Sequence, residues 1–145
     1  MTALVTIGFT RKTLEQFVGL LSEHHVQKLV DIRLRPNTQL SGFARGVDLA
    51  FLLPHCFGME YVHEPLLAPT AELLDRYRKT NDWTAYEVGF DELSRERGMV
   101  DVLARAIEDR DVVALLCSEA TADRCHRRLL AERFMASNTT EVRHL

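Results

Sequence analysis

The segment from Val112 to Arg128 gathers two thiols, a carboxylate, an imidazole and a run of guanidinium groups: Cys117, Glu119, Arg124, Cys125, His126, Arg127 and Arg128. Cys117 closes the apolar run Val112-Val-Ala-Leu-Leu, whose length and branched composition are those of a strand buried on both faces. Thr121 or Asp123 is placed to cap a helix whose apolar positions Leu129, Leu130 and Phe134 recur at helical spacing. A strand that runs through a loop into a helix N-terminus favours an anion, because unpaired N–H groups and the helix dipole point at the same place. A thiol there would have its pKa lowered, which makes Cys117 a candidate nucleophile. The plainer reading is a small buried residue that ends a core strand.

The neighbouring groups fit a site around that thiol. Glu119 and His126 are candidate proton-transfer groups and His63 a further one, since imidazole titrates near neutral pH. A histidine at a strand end equally serves as a hydrogen-bonder. Neighbours on a helix diverge by about 100°, so one of Arg127 and Arg128 should point at the loop and the other into solvent. With Arg33 from another strand end, such an arginine would clamp a phosphate or oxyanion. The rival is structural pairing of these arginines with Asp31 and Glu119. Zinc ligands usually stand two to four residues apart, and the Cys117/Cys125-His126 spacing does not follow that rule, so no metal and no cofactor is expected. The loop also departs from the cysteine-phosphatase pattern, because Arg124 comes one residue late and the loop holds no glycine to wrap a phosphate. Cys56 reads as a core residue.

The elements that must position these groups alternate. Leu4 to Ile7, Lys28 to Arg33, Glu60 to His63, Val112 to Leu116 and Glu141 to Leu145 read as strands. Between them lie helical patterns: one opened by the capping box Thr13/Gln16, one over Val47 to Phe57 containing Pro54 and closed by Gly58, one from Thr70 to about Lys79, one from Trp83 to Arg97 and one after Gly98. Asn37 to Arg45 is polar and aperiodic, hence a loop. Strand–helix alternation implies an α/β fold of three layers, a mainly parallel sheet of four to five strands with helices on both faces. Residues 8–11, 31–35, 63–64 and 117–119 would then share the carboxyl rim.

Composition narrows the class. The chain has 145 residues, which reads as a single domain over 1–145, and its 46% hydrophobic and 27% charged fractions are those of a globular protein. Eighteen basic residues stand against 21 acidic ones, a net charge of −3, so no global field favours nucleic acid or an anionic membrane. An odd number of cysteines without a secretory signal is expected of free thiols in a reducing cytoplasm. No apolar run approaches the ~20 residues of a membrane span.

Leu115-Leu-Cys117-Ser-Glu119 with Cys125-His126-Arg127, Val30-Asp31-Ile-Arg33 upstream and Tyr61-Val-His63 between resembles the bacterial and archaeal family called domain of unknown function 488. The resemblance runs from Thr6-Ile-Gly8 to Val142-Arg-His-Leu145. It implies a compact α/β fold with those residues at its site and no established activity. Phe9 and Leu67-Ala68 depart from the family, whose members commonly carry a histidine or tyrosine after the first glycine and a Leu-Gly pair. Two function classes follow from the residues. One is a thiol- and arginine-dependent enzyme acting on a small anionic substrate, phosphorylated or nucleotide-like, with Cys117, Glu119 and His126 in the chemistry and Asp31, Arg33, His63, Arg127 and Arg128 around the anion. The other is a non-catalytic module binding an anion or nucleic acid on the same rim, the latter through Arg35, Phe43 and Arg45 of the arginine-rich loop. The first predicts a concave pocket, the second a shallow positive rim.

Overall fold

In the computed structural model, residues 2–38, 42–119, 121–138 and 140–145 are described. The part of the Asn37–Arg45 loop at 39–41 lies outside them. Five strands, β1 (Thr2–Gly8), β2 (Lys28–Asp31), β3 (Glu60–His63), β4 (Val112–Cys117) and β5 (Thr140–His144), form one parallel sheet in the order β3-β2-β4-β1-β5. Six α-helices connect them: α1 (Leu14–Glu23), α2 (Gly46–Phe57), α3 (Ala71–Thr80), α4 (Trp83–Arg97), α5 (Met99–Ile107) and α6 (His126–Ser137).

The period-2 alternation of the strands divides the core. Val5, Ile7, Leu29, Ala114 and Leu116 face one way and pack with Phe17 and Leu21 of α1 and with Leu49 and Leu53 of α2. Leu4, Val30, Val113, Leu115 and Cys117 face the other way and pack with Phe90 of α4, Leu103 of α5 and Leu130 and Phe134 of α6. The three-layer α/β expectation holds, and the sheet is parallel throughout. No described helix is long and apolar enough to cross a membrane.

Local signals account for most helix ends. Thr13 and Gln16 form the reciprocal capping box of α1. Gly58 ends α2 with φ 64°, a conformation in which a side chain would be strained. Thr70 and Asp82 cap α3 and α4 by accepting from backbone amides three residues on. Three expectations change. β2 stops at Asp31, not Arg33, although the Ile32 amide still bonds the Leu116 carbonyl, and α6 begins at His126, with Cys125 as its N-cap and no side-chain cap from Thr121 or Asp123. Cys56 lies on the solvent face of α2 and is exposed, not core.

The strand order creates a divergence. After β2 the chain passes through α2 to the outer strand β3, whereas after neighbouring β4 it passes through α6, on the opposite face, to the far edge strand β5. Adjacent strands whose exits part in this way leave a crevice outside their carboxyl ends, the position where open α/β sheets hold ligands.

Candidate functional site at the β2/β4 rim

A cavity of about 210 Å³ occupies that crevice. Arg33 and Leu34 come to it from the β2 exit, Cys117, Ser118 and Glu119 from the β4 exit, and Arg124, Cys125 and His126 from the approach to α6. Tyr77, Trp83 and Tyr86 of the α3–α4 hairpin close the remaining side. Of the residues expected at the site, Arg33, Cys117, Glu119 and His126 therefore line one cavity.

Arg33 is held by a carboxylate behind it. Asp31 is fully buried, and it receives the Arg33 Nε (2.9 Å) and Nη2 (2.7 Å) in a bidentate pair, along with the Arg33 backbone amide (3.1 Å). The Tyr61 hydroxyl donates to the same carboxylate at 2.6 Å. Burial, reinforced by the Asp31 charge, pushes the Tyr61 phenol well above its ordinary pKa, so it stays a donor. The Phe9 ring lies 5.3 Å from the Arg33 guanidinium carbon, a cation–π contact. Phe9 thus supplies an aromatic face to the guanidinium. With two nitrogens used, Arg33 Nη1 is buried and unpartnered.

Both histidines fasten the β2 exit. His63 Nε2 lies 2.8 Å from the Arg33 carbonyl and His126 Nε2 2.8 Å from the Ile32 carbonyl. A carbonyl only accepts, so each Nε2 carries the proton. His126 Nδ1 is then the bare nitrogen, and it faces the Cys125 sulfur at 3.9 Å. Burial lowers the His126 pKa to about 4, against the raising effect of the Ile32 bond, so the ring is neutral at pH 7.

Cys117 and Cys125 are both buried, and their sulfurs meet as a disulfide pair across eight residues, which replaces the expectation of three free thiols. Their Cα atoms are 7.6 Å apart, beyond the ~4.4–6.8 Å usual for a disulfide. Reduction of this disulfide would leave two facing thiols among the residues that line the cavity. Cys56 is the free cysteine.

The expected α6 arginines do not line the cavity. Arg127 is fully buried on the other side of the β4 exit with Nε, Nη1 and Nη2 all unpartnered. Arg128 is half-buried, with its guanidinium carbon 5.8 Å from the Trp83 ring centre and Nη1 3.7 Å from Glu132. Neighbouring helix positions diverged as geometry requires, but the inward member is the one nearest β1. Gly8 is where β1 meets this region: a Cβ there would collide with the Glu119 carbonyl and touch Arg127 Nη1. The Thr10 hydroxyl donates to the Ser118 carbonyl, tying the β1 and β4 exits together.

Sequence reasoning missed Tyr61 as the second ligand of Asp31, the aromatic side of the cavity, and Arg124 as a lining residue. The register pairing Asp31 with His63 puts Tyr61 on the same face as Asp31, a relation invisible until β2 and β3 are known to be neighbours. Among the described residues no three His, Cys, Asp or Glu side chains are grouped to share a metal ion.

No curated protein and no solved structure is matched by the chain. Residues 13–134 match the family described as domain of unknown function DUF488, a span that holds the β2 exit, the α3–α4 hairpin and the Cys-x-Glu and Cys-His-Arg segments, and the chain belongs to that family.

Proposed function

We propose that the β2/β4 crevice is the active site of a thiol- and arginine-dependent enzyme acting on a small anion. The observation that carries this reading is Arg33, a residue that lines the concave cavity and whose guanidinium is fixed by Asp31, Tyr61 and Phe9 with Nη1 unspent. A fixed guanidinium loses little entropy on taking up an oxyanion. Arg124 and the uncapped amides that open α6 add to the same field.

In the reduced protein, Cys117 ends its strand opposite that helix terminus, with Cys125 as a thiol neighbour. Its thiolate would bond to the electrophilic atom bearing the anionic group while the bond to the leaving group breaks. The leaving group keeps the electron pair and takes a proton through Glu119, which is open to solvent, and water then releases the second product and the thiol. His126 holds the β2 exit and orients Cys125. Asp31 and His63 position Arg33.

The second reading, a non-catalytic anion-binding module, is favoured by the joined sulfurs of Cys117 and Cys125, since a disulfide is no nucleophile. Alkylation by iodoacetamide against pH, read cysteine by cysteine in the reduced protein with and without inorganic phosphate, separates the two. The enzyme reading expects Cys117 to react with an apparent pKa below the reference of about 8.5 and to be protected by phosphate. Protection by phosphate of a Cys117 with an ordinary pKa, or a Cys117 inert at every pH, leaves only a binding site.

A further inference from the structure

We propose that the anion taken by this crevice carries a single planar ring, as an aryl phosphate or a pyrimidine nucleoside monophosphate does, and that the α3–α4 hairpin selects for it. The inference rests on the reading of Arg33 as the anion anchor and adds the other half of the ligand.

The two sides of the cavity differ in chemistry. The strand exits present Arg33, Ser118, Glu119 and Arg124, whereas the hairpin presents Leu74, Tyr77, Trp83 and Tyr86 with a single charged residue, Arg78. An inorganic ion would use the first side and leave the partly exposed faces of Tyr77 and Trp83 against water. A ring attached to the anion covers that surface and gains both burial and aromatic contact.

The aromatic side is preassembled. Trp83 and Tyr86 lie 19° from parallel with ring centres 5.1 Å apart, and Tyr77 meets Trp83 edge-on at 5.6 Å and Tyr86 at a 50° tilt at 5.2 Å. Tyr86 continues into the core by stacking on Phe90, which anchors the cluster to α4. Rings already fixed by one another need little ordering when a ligand arrives, so the contact energy is kept. Volume limits the ligand. At about 210 Å³ the cavity is smaller than the ~300–1,000 Å³ of common small-molecule sites, so it suits a ligand of mononucleotide size or less and is too small to enclose a dinucleotide.

Trp83 is the chain's single tryptophan, and it lines the cavity, so its fluorescence reports on the aromatic side alone. The reduced wild-type protein is titrated with inorganic phosphate, phenyl phosphate, cyclohexyl phosphate and uridine monophosphate, with calorimetry for affinity and selectively excited tryptophan emission for contact. The expected result is that phenyl phosphate or uridine monophosphate binds at least about tenfold tighter than inorganic phosphate, that cyclohexyl phosphate gains less, and that the planar-ring ligands change Trp83 emission while inorganic phosphate does not. Whichever of the two binds tighter tells a simple aryl group from a nucleobase. In Tyr77→Leu the ring preference should fall several-fold, with the melting temperature checked alongside; if this variant fails to fold, the wild-type comparison decides alone. Phenyl phosphate and uridine monophosphate binding no tighter than inorganic phosphate, or cyclohexyl phosphate binding as well as phenyl, overturns the planar-ring proposal while the anion site stands. Failure of every phosphate to bind removes the Arg33 reading itself.

Discussion

Arg33 and Arg127 are both buried guanidiniums at the carboxyl rim of the sheet, 3% and 0% exposed, and the fold treats their charges in opposite ways. Arg33 stands two residues after Asp31 at the same strand end, so the carboxylate that neutralises it arrives with it. Arg127 stands in the first turn of α6. Burial lowers its pKa to about 10, an effect only partly opposed by the charge of Glu119, whose side chain lies in solvent with no ion pair to it. Its charge is felt nearby: Lys12 and His144 both have lowered pKa values, from burial first and Arg127 second. The contrast teaches that burial alone does not mark an anion anchor. A guanidinium with a built-in counterion can hold a ligand without endangering the fold, whereas one without any counterion burdens the folded state.

That difference has a sign that mutation can read. Arg33→Met leaves Asp31 buried with the Tyr61 hydroxyl and a backbone amide but no opposing charge, and breaking a buried pair in this way costs about 3–5 kcal/mol. Urea unfolding followed by circular dichroism measures it. A loss below about 1 kcal/mol would mean that Asp31 finds another partner, and the comparison between the two arginines would collapse.

His126 and Arg127, adjacent at the start of α6, sharpen the contrast through pH. His126 is neutral and bonded to the Ile32 carbonyl, with a folded pKa of about 4, below the unfolded value of about 6.5. Between those values the unfolded chain binds a proton that the folded chain refuses. Stability from this group is therefore intact above about pH 6.5 and falls as pH drops toward 4, by up to about 3 kcal/mol. Carboxylates titrate in the same range, so the reading is the difference between wild type and His126→Gln, whose amide can still donate to Ile32. The variant's unfolding free energy should change less between pH 7.5 and 4.5. Equal slopes in the two proteins would place the acid sensitivity elsewhere.

How far the sequence foretold this contrast depends on the range of the interaction. The strand cores of β1 and β4, the Thr13/Gln16 box, the Gly58 cap and the span Trp83–Arg97 are set by neighbours in the chain, and they were legible. The start of α6 was not: Thr121 and Asp123 are good caps locally, but burial of Cys125 and His126 against the sheet decides where the first turn lies. The Arg33–Asp31 pair could be anticipated from two residues in sequence. Its Tyr61 and Phe9 partners required the order β3-β2-β4-β1, which the sequence does not encode in any local pattern. The hairpin aromatics fall within the two helical spans read from Thr70 and from Trp83, yet their place opposite Cys117 depends on how α3 and α4 cross the β4 end.

Arg127 gives the smallest and most diagnostic effect. Arg127→Met keeps much of the side-chain length and removes three unpartnered nitrogens, so the fold should gain about 1–2 kcal/mol, read as a higher melting temperature in a buffer free of phosphate. Leaving Glu119 without this distant charge costs little, because its carboxylate is hydrated. The sign is opposite to that of Arg33→Met, and the two variants in one experiment make the comparison internal. Repeating both melts with inorganic phosphate assigns the anion. Under the Arg33 reading, phosphate raises the wild-type and Arg127→Met melting temperatures alike and leaves Arg33→Met unmoved. If instead Arg127→Met is destabilised and loses its response to phosphate, the uncompensated guanidinium is the anchor, its missing counterion is the ligand, and the site lies on the β1 side of the β4 exit.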